Sequence, residues 1–244
     1  MQLITTVTPS LCRLMHIPFP RLSTSEVIRK VVAEAETVLN NGAVEKCFVY
    51  APDAIGDTLF REYSTEFKPV LRIAPLQVLL GSVLPPKTPV CFASMFTGAM
   101  PKDHGIRMYE RPTLRCDTLF DALVRSKKRV AIAAVKDCSI ALIFRERPLS
   151  YFIEAYDKQV NDRILRIFRD NSNKSDFHFI LAYNQEYDDT MHRTAPRSPE
   201  ALRAMKNHID SFKQLAEAFL RRYESYSRLV VFLPDHGEHV GIDG

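Results

Sequence analysis

The sequence contains no tryptophan, which by itself excludes nothing. Other absences exclude more. No window approaches the roughly 20 apolar residues that a membrane helix needs, so no membrane association is expected. Met1 to Pro20 is mildly apolar but is interrupted by Pro9, Arg13, His16 and Pro18. It lacks the basic start and unbroken apolar run of a secretion signal. The five cysteines (Cys12, Cys47, Cys91, Cys116 and Cys138) are scattered, odd in number and never spaced CxxC. That excludes a redox motif and zinc-finger spacing, disfavours a disulfide framework, and leads to an expectation of reduced thiols in a cytoplasmic protein. Charge of one sign is nowhere concentrated: the formal net charge is +4, with acids and bases interspersed. The densest basic run, Lys127-Lys128-Arg129, has no aromatic interleaving and reads as a solvated turn, so no nucleic-acid polymer is expected as partner. Repeats and low-complexity linkers are missing too. The remainder is an ordinary globular composition, 46% hydrophobic and 25% charged over 244 residues. It predicts a single domain over 1–244, and nothing in the pattern indicates an oligomeric state.

Strand-like and helix-like segments alternate along the chain. Ser23 with Glu26 forms a capping-box pattern ahead of a helix over Val27 to Leu39, stopped at Asn41-Gly42. Lys46 to Ala51 is an apolar run suited to a buried strand. Thr58 to Phe67 reads as a helix and Val70 to Ile73 as a strand. Asp117 to Arg125 is helical, Arg129 to Val135 and Ser139 to Phe144 are strand-like, and Phe152 to Arg169 is an amphipathic helix. A strand over Phe177 to Tyr183 follows. Ser198-Pro199-Glu200 combines a serine cap, an early proline and an early acid, and opens a helix that runs to about Ser225. Arg228 to Leu233 is the last strand. This alternation, with continuous apolar strands, predicts an α/β fold with a predominantly parallel sheet covered by helices on both faces.

In such sheets, ligands bind beyond the carboxyl ends of the strands. Three expected strands end in polar residues of the metal-ligating type. The first runs into Pro52-Asp53-Ala54-Ile55-Gly56-Asp57, the second into Asn184-Gln185-Glu186-Tyr187-Asp188-Asp189-Thr190-Met191-His192, and the last into Pro234-Asp235-His236-Gly237. Asp and His suit Zn²⁺ or Mn²⁺. Asp53 is preferred to Asp57 because it directly follows its strand. A fourth segment, Lys87-Thr88-Pro89, reads as a threonine cap with proline at the first helical position. A hydroxyl at a helix N-terminus sits in positive potential, which favours its alkoxide and any phosphate bonded to it. Each piece alone has an ordinary structural reading: a strand-end turn, an acidic loop, a helix cap. Their order, strand-end placement and internal spacing agree on a metal centre. His104 reads as structural, His178 as a packed strand residue and His208 as a surface residue of the long helix.

The segment Lys87-Thr88-Pro89 through Thr97-Gly98 to His104-Gly105-Ile106 resembles the nucleophile segment of nucleotide pyrophosphatase/phosphodiesterases and their relatives in the alkaline phosphatase superfamily. Asp188 to His192 with Pro196, Ser198 and Glu200 resembles that group's Asp-x-x-x-His signature and its trailing residues. Asp235-His236-Gly237 resembles its Asp-His-Gly, and Asp53 its first metal aspartate. The pieces occur in the family's order from about residue 45 onward. The resemblance implies an alkaline phosphatase-like catalytic domain with a reduced or absent cap insert and two divalent metal ions, Zn²⁺ or alternatively Mn²⁺. Asp53, Thr88, Asp235 and His236 would hold one ion, and Asp188 and His192 the other. The family places a further histidine on that second ion, downstream of Asp-His-Gly. Here only His239 follows, close to His236 in sequence, so the expectation is a chain lacking its extreme C-terminal part. Lys87 could steady a phosphate. Cys91 stands where diesterase relatives carry a phosphate-binding asparagine, and it reads as packing or a pocket wall.

The implied reaction is hydrolysis of a small-molecule phosphate ester or anhydride through a phosphothreonine on Thr88. Other readings within the superfamily are a phosphonate hydrolase, a sulfatase-like enzyme or a phosphomutase. The sulfatase-like version is disfavoured because that group uses a modified cysteine or serine in a different motif. A reading of another class is a binding protein that kept the fold and lost turnover.

Overall fold

The protein is described here by a computed structural model covering residues 1–238. Its strands are β1 (Gln2–Leu3), β2 (Lys46–Pro52), β3 (Leu80–Gly81), β4 (Val130–Val135), β5 (Ser150–Glu154), β6 (Phe179–Asn184) and β7 (Arg228–Phe232). Five of them form one sheet in the order β5-β4-β6-β2-β7, and every neighbouring pair is parallel. β1 and β3 form a separate parallel pair. The three inner strands are buried at every position, which is why their sequences read as unbroken apolar runs.

Helices cover both faces. On one, Asp157–Arg169 and Pro199–Arg222 pack against the sheet, with Phe48 set between Phe168 and Phe219 (centroids 5.5 and 5.7 Å away). Complete burial of such a ring contributes about 2–3 kcal/mol. On the other, the helix Thr88–Thr97 is buried along its whole length. Its Phe92 meets Tyr183 edge-on, and its Phe96 packs on Phe120 and Phe144. No helix among the described residues is long and apolar enough to cross a membrane.

Several local expectations change. Lys68–Ile73 is a helix and not a strand, with Pro69 in its first turn. Ser139–Ile143 is also helical, its start capped by the Cys138 thiol, which accepts from Ala141 N. Short apolar runs fit either state from sequence alone. Ser150–Glu154 is an edge strand, so the amphipathic helix begins only at Asp157. The helix predicted from Val27 spans Arg29–Val38 and uses no capping box. Instead, the Ser10 hydroxyl accepts from Ile28 N at 2.7 Å. Ser198 does cap its helix, accepting from Ala201 N.

Candidate metal centre

Sheet order explains why distant sequence segments meet. β6, β2 and β7 are neighbours, so the residues leaving their carboxyl ends emerge side by side. Tyr50 pairs with Phe232 and Pro52 with Asn184; continuing that register sets Asp53 level with Asp235. Asp53 N still bonds to Asn184 O at 2.9 Å. Beyond it, Ala54 turns at φ +59°, and its N–H donates to Asp235 Oδ1 at 3.3 Å. The two loops touch backbone to backbone: a Cβ on Gly56 would lie 2.4 Å from Gly237 Cα. This is the physical need for glycine at position 56; a Cβ on Gly237 would lie at an ordinary 3.6 Å from Gly56 Cα.

Asp53, Asp235 and His236 are 2%, 1% and 5% exposed, and one potential ligand atom from each lies within 4.8 Å of the others. His236 Nδ1 faces the Gly237 carbonyl at 2.9 Å. A carbonyl only accepts, so Nδ1 carries the proton and Nε2 keeps its lone pair for the cluster. Nε2 stands 3.4 Å from Asp53 Oδ1, 3.3 Å from Asp235 Oδ2 and 3.3 Å from Thr88 Oγ1. Asp53 Oδ2 accepts from Tyr183 Oη, and from Thr88 Oγ1 at 3.4 Å. Asp53 Oδ1 and Asp235 Oδ2 are buried without any hydrogen bond among the described residues. Burial, then the neighbouring Asp235 charge, pushes the Asp53 carboxyl well above its ordinary range. Burial lifts Asp235 to about 7, against a hydrogen bond from Ala54 that pulls it down.

Thr88 is 8% exposed and lies in the first turn of Thr88–Thr97. The helix begins one residue earlier than the cap pattern suggests. Lys87, half-buried and extended (φ −111°, ψ 140°), is the N-cap, and Thr88 is the first helical residue. The threonine hydroxyl is therefore not used on its own backbone and faces the acidic cluster. Gly98 ends the helix at φ +70°, where a Cβ would strike the Ser23 hydroxyl at 2.3 Å. Cys91 is fully buried, and burial together with the Asp235 and Asp53 charges pushes its thiol up, leaving a neutral wall. Ser94 is held 2.8 Å from His104 Nε2. Because His104 Nδ1 accepts from Ile106 N at 3.2 Å, Nε2 is the protonated nitrogen and donates to Ser94. That pair has no base to activate the serine.

Asp188 and His192 lie on a helix, Glu186–Arg193, where a loop was expected. Four-residue spacing puts both side chains on one face, with His192 Nε2 3.4 Å from Asp188 Oδ1. Asp188 Oδ1 is also buried without a hydrogen bond. Burial, then the Asp53 charge, lifts its pKa to about 7, while His192 and His236 pull it down; the segment is thus close enough to feel the first cluster. His239 lies outside the described residues. The sequence reading missed Tyr183, the donor to Asp53. Its placement at the end of β6, beside a strand ending in Asp53, was the available signal. His208, read as surface, is 2% exposed.

Hard oxygen donors, one imidazole nitrogen and buried carboxylate oxygens lacking hydrogen bonds form a set that fits a divalent cation. No protein-family model matches the sequence, and no curated protein does. Solved structures do match. Murine ectonucleotide pyrophosphatase/phosphodiesterase 5 aligns with a TM-score of 0.61 at 16% identity, over 79% of this chain and 57% of that one. An inactive threonine-to-alanine variant of the same mouse protein, in complex with AMP, gives 0.62 at 15% identity with the same coverage. The chain thus spans little more than half the length of the structures it matches. The likeness establishes the fold: an alkaline phosphatase-like α/β sheet of small size, without a large cap.

Proposed function

We propose that this chain is a metal-dependent phosphoric ester hydrolase of phosphodiesterase or phosphatase type, working through a phosphothreonine on Thr88. The observation that carries the reading is the Thr88 hydroxyl, buried at 3.3–3.4 Å from His236 and Asp53 beside carboxylate oxygens that lack hydrogen bonds. Asp53, Thr88, Asp235 and His236 would hold one divalent ion, and Asp188 with His192 a second; Zn²⁺ suits the set, and Mn²⁺ also does. Bound ions would supply positive charge that favours the Thr88 alkoxide and the leaving oxygen, and would lower the pKa of water.

The chain's own residues do the rest. The helix start gives Thr88 a fixed backbone at the positive end of a helix dipole, which favours negative charge there. Asp53 Oδ2 offers an acceptor to the hydroxyl proton. Tyr183 donates to Asp53 and so fixes which carboxylate oxygen faces Thr88. Thr88 Oγ attacks phosphorus, the bond to the leaving alcohol breaks, and that alcohol takes up a proton. Water then cleaves the phosphothreonine and restores the hydroxyl. Cys91, buried and neutral, shapes the wall. Lys87, next to the nucleophile, supplies a charge for a phosphate oxygen. The AMP bound to the murine structure supports a nucleotide-type phosphoester as substrate.

A second reading, a binding protein without turnover, draws on the second ligand set, which has only Asp188 and His192 among the described residues. One experiment separates the two. With Zn²⁺ or Mn²⁺ added, Thr88→Ala is expected to lose about 1,000-fold in turnover of bis-p-nitrophenyl phosphate or p-nitrophenyl phosphate. Undiminished turnover by that variant refutes the nucleophile. A wild type that binds metal but turns over neither substrate favours the binding protein.

A further inference from the structure

The first N–H groups of any helix lack acceptors within it. The helix Glu186–Arg193 has no cap from its own N-cap residue, Gln185. Two other helices supply the acceptors. Gln185 N lies 3.1 and 2.9 Å from the two Asp157 carboxylate oxygens, and Glu186 N donates to the same carboxylate at 2.8 Å. Tyr187 N donates to His208 Nε2 at 3.1 Å. Three consecutive amides are therefore held by side chains from helices Asp157–Arg169 and Pro199–Arg222. Asn184 Nδ2 ties the end of β6 to the Asp157 carbonyl at 3.3 Å.

The His208 ring has a defined role. Nε2 accepts from an amide, so Nδ1 carries the proton and donates to Tyr50 Oη at 2.9 Å. Tyr50 lies on β2, three residues before Asp53. One buried imidazole thus joins the base of the helix bearing Asp188 and His192 to the strand delivering Asp53. We propose that Asp157 and His208 are positioning residues that fix the Asp188–His192 pair relative to the Asp53–Asp235–His236 cluster, and so set the affinity of the second ion; this rests on the reading of the metal centre given above. Neither residue touches the reacting atoms.

The test is a titration of the full chain with Zn²⁺ or Mn²⁺, paired with hydrogen exchange at the Tyr187 amide. Wild type is expected to take two ions. His208→Phe and Asp157→Ala should weaken the second ion by about tenfold or more, leave the first unchanged, and expose the Tyr187 amide in His208→Phe. His208→Gln, whose Oε1 can accept from Tyr187 N, should restore both readouts. If His208→Phe does not fold, Asp157→Asn removes one acceptor oxygen at nearly constant shape and reads the same affinity. Unchanged second-ion binding in the variants overturns the positioning role and leaves the metal centre standing. Equal loss of both ions, unrescued by His208→Gln, overturns it as general destabilisation. A wild type that binds no divalent ion overturns the metal centre and this inference together.

Discussion

The two ends of the parallel sheet bury charge in opposite ways. At the amino ends the buried Lys46 is answered. Lys46 is 2% exposed, yet its ammonium pairs with Asp176 and lies 4.8 Å from the centroids of both Tyr223 and Tyr226. Nearby, the exposed Arg129 guanidinium donates to the carbonyls of Asn173 and Lys174, and the Arg129 backbone N–H donates to His178 Nδ1 at 3.0 Å. At the carboxyl ends, Asp53, Asp188 and Asp235 each keep a buried oxygen without a hydrogen bond among the described residues, and so does Asn184 Oδ1. Single atoms on Ser23, Asn161 and Arg222 likewise lack a partner among the described residues. Buried charges are tolerated when paired and costly when not. The amino end pairs its buried charge, and the carboxyl end gathers a group of donors that could hold a cation.

The largest expected effect follows from adding that cation. Zn²⁺ or Mn²⁺ at about 100 times its Kd should stabilise the protein by about 2.7 kcal/mol at pH 7.5, read as a rise in Tm. The effect should shrink at pH 5. Asp188 and Asp235 have folded pKa values raised to about 7, above their ordinary 3.8, so the folded apoprotein binds more protons than the unfolded chain between those values. Apoprotein stability contributed by these groups therefore falls as pH rises toward 7, and protonated carboxyls do not ligate below it. A Tm shift that is equal at both pH values breaks the contrast between the two ends.

Lys46→Met sharpens the contrast from the other side. It leaves Asp176, whose side chain is 35% exposed, without its partner, and should cost about 2 kcal/mol in denaturant unfolding, independent of added metal. The smallest effect should have the opposite sign. Asp235→Asn keeps an acceptor for Ala54 N but removes one of the two crowded carboxylates. The metal-free protein should gain about 1 kcal/mol at pH 8 and lose its response to Zn²⁺. Destabilisation of the metal-free protein by this change would place Asp235 with the paired charges.

Much of this was legible in the chain alone. Unbroken apolar runs at Lys46, Arg129 and Phe177 specify inner strands because only strands buried on both faces need them. Asp53 follows its strand directly and Asp235-His236 follow theirs after two residues, so knowing the strands places these residues at the rim. Ser198 specifies its helix start through a local hydrogen bond that needs no tertiary partner. What failed was what depends on distant groups. Val70 to Ile73 and Ser139 to Phe144 are too short for their apolar content to choose between helix and strand, and both form helices. The Asp188–His192 segment gave no sign of being helical, because the acceptors for its first amides sit on Asp157 and His208, 28 and 21 residues away. His208 read as surface because one imidazole in a polar helix carries no mark of the tyrosine and amide it meets.

The sequence alone determined which side chains can ligate a cation, that a threonine opens a helix nearby, and that these lie where parallel strands end, since each is a matter of composition or local hydrogen bonding. Tertiary structure alone decided that β6, β2 and β7 are adjacent, that Gly56 and Gly237 bring two loops into contact, and that Asp188 feels the charge of Asp53. Strand order and long-range capping are set by packing between segments far apart in the chain, and no short stretch of residues encodes them.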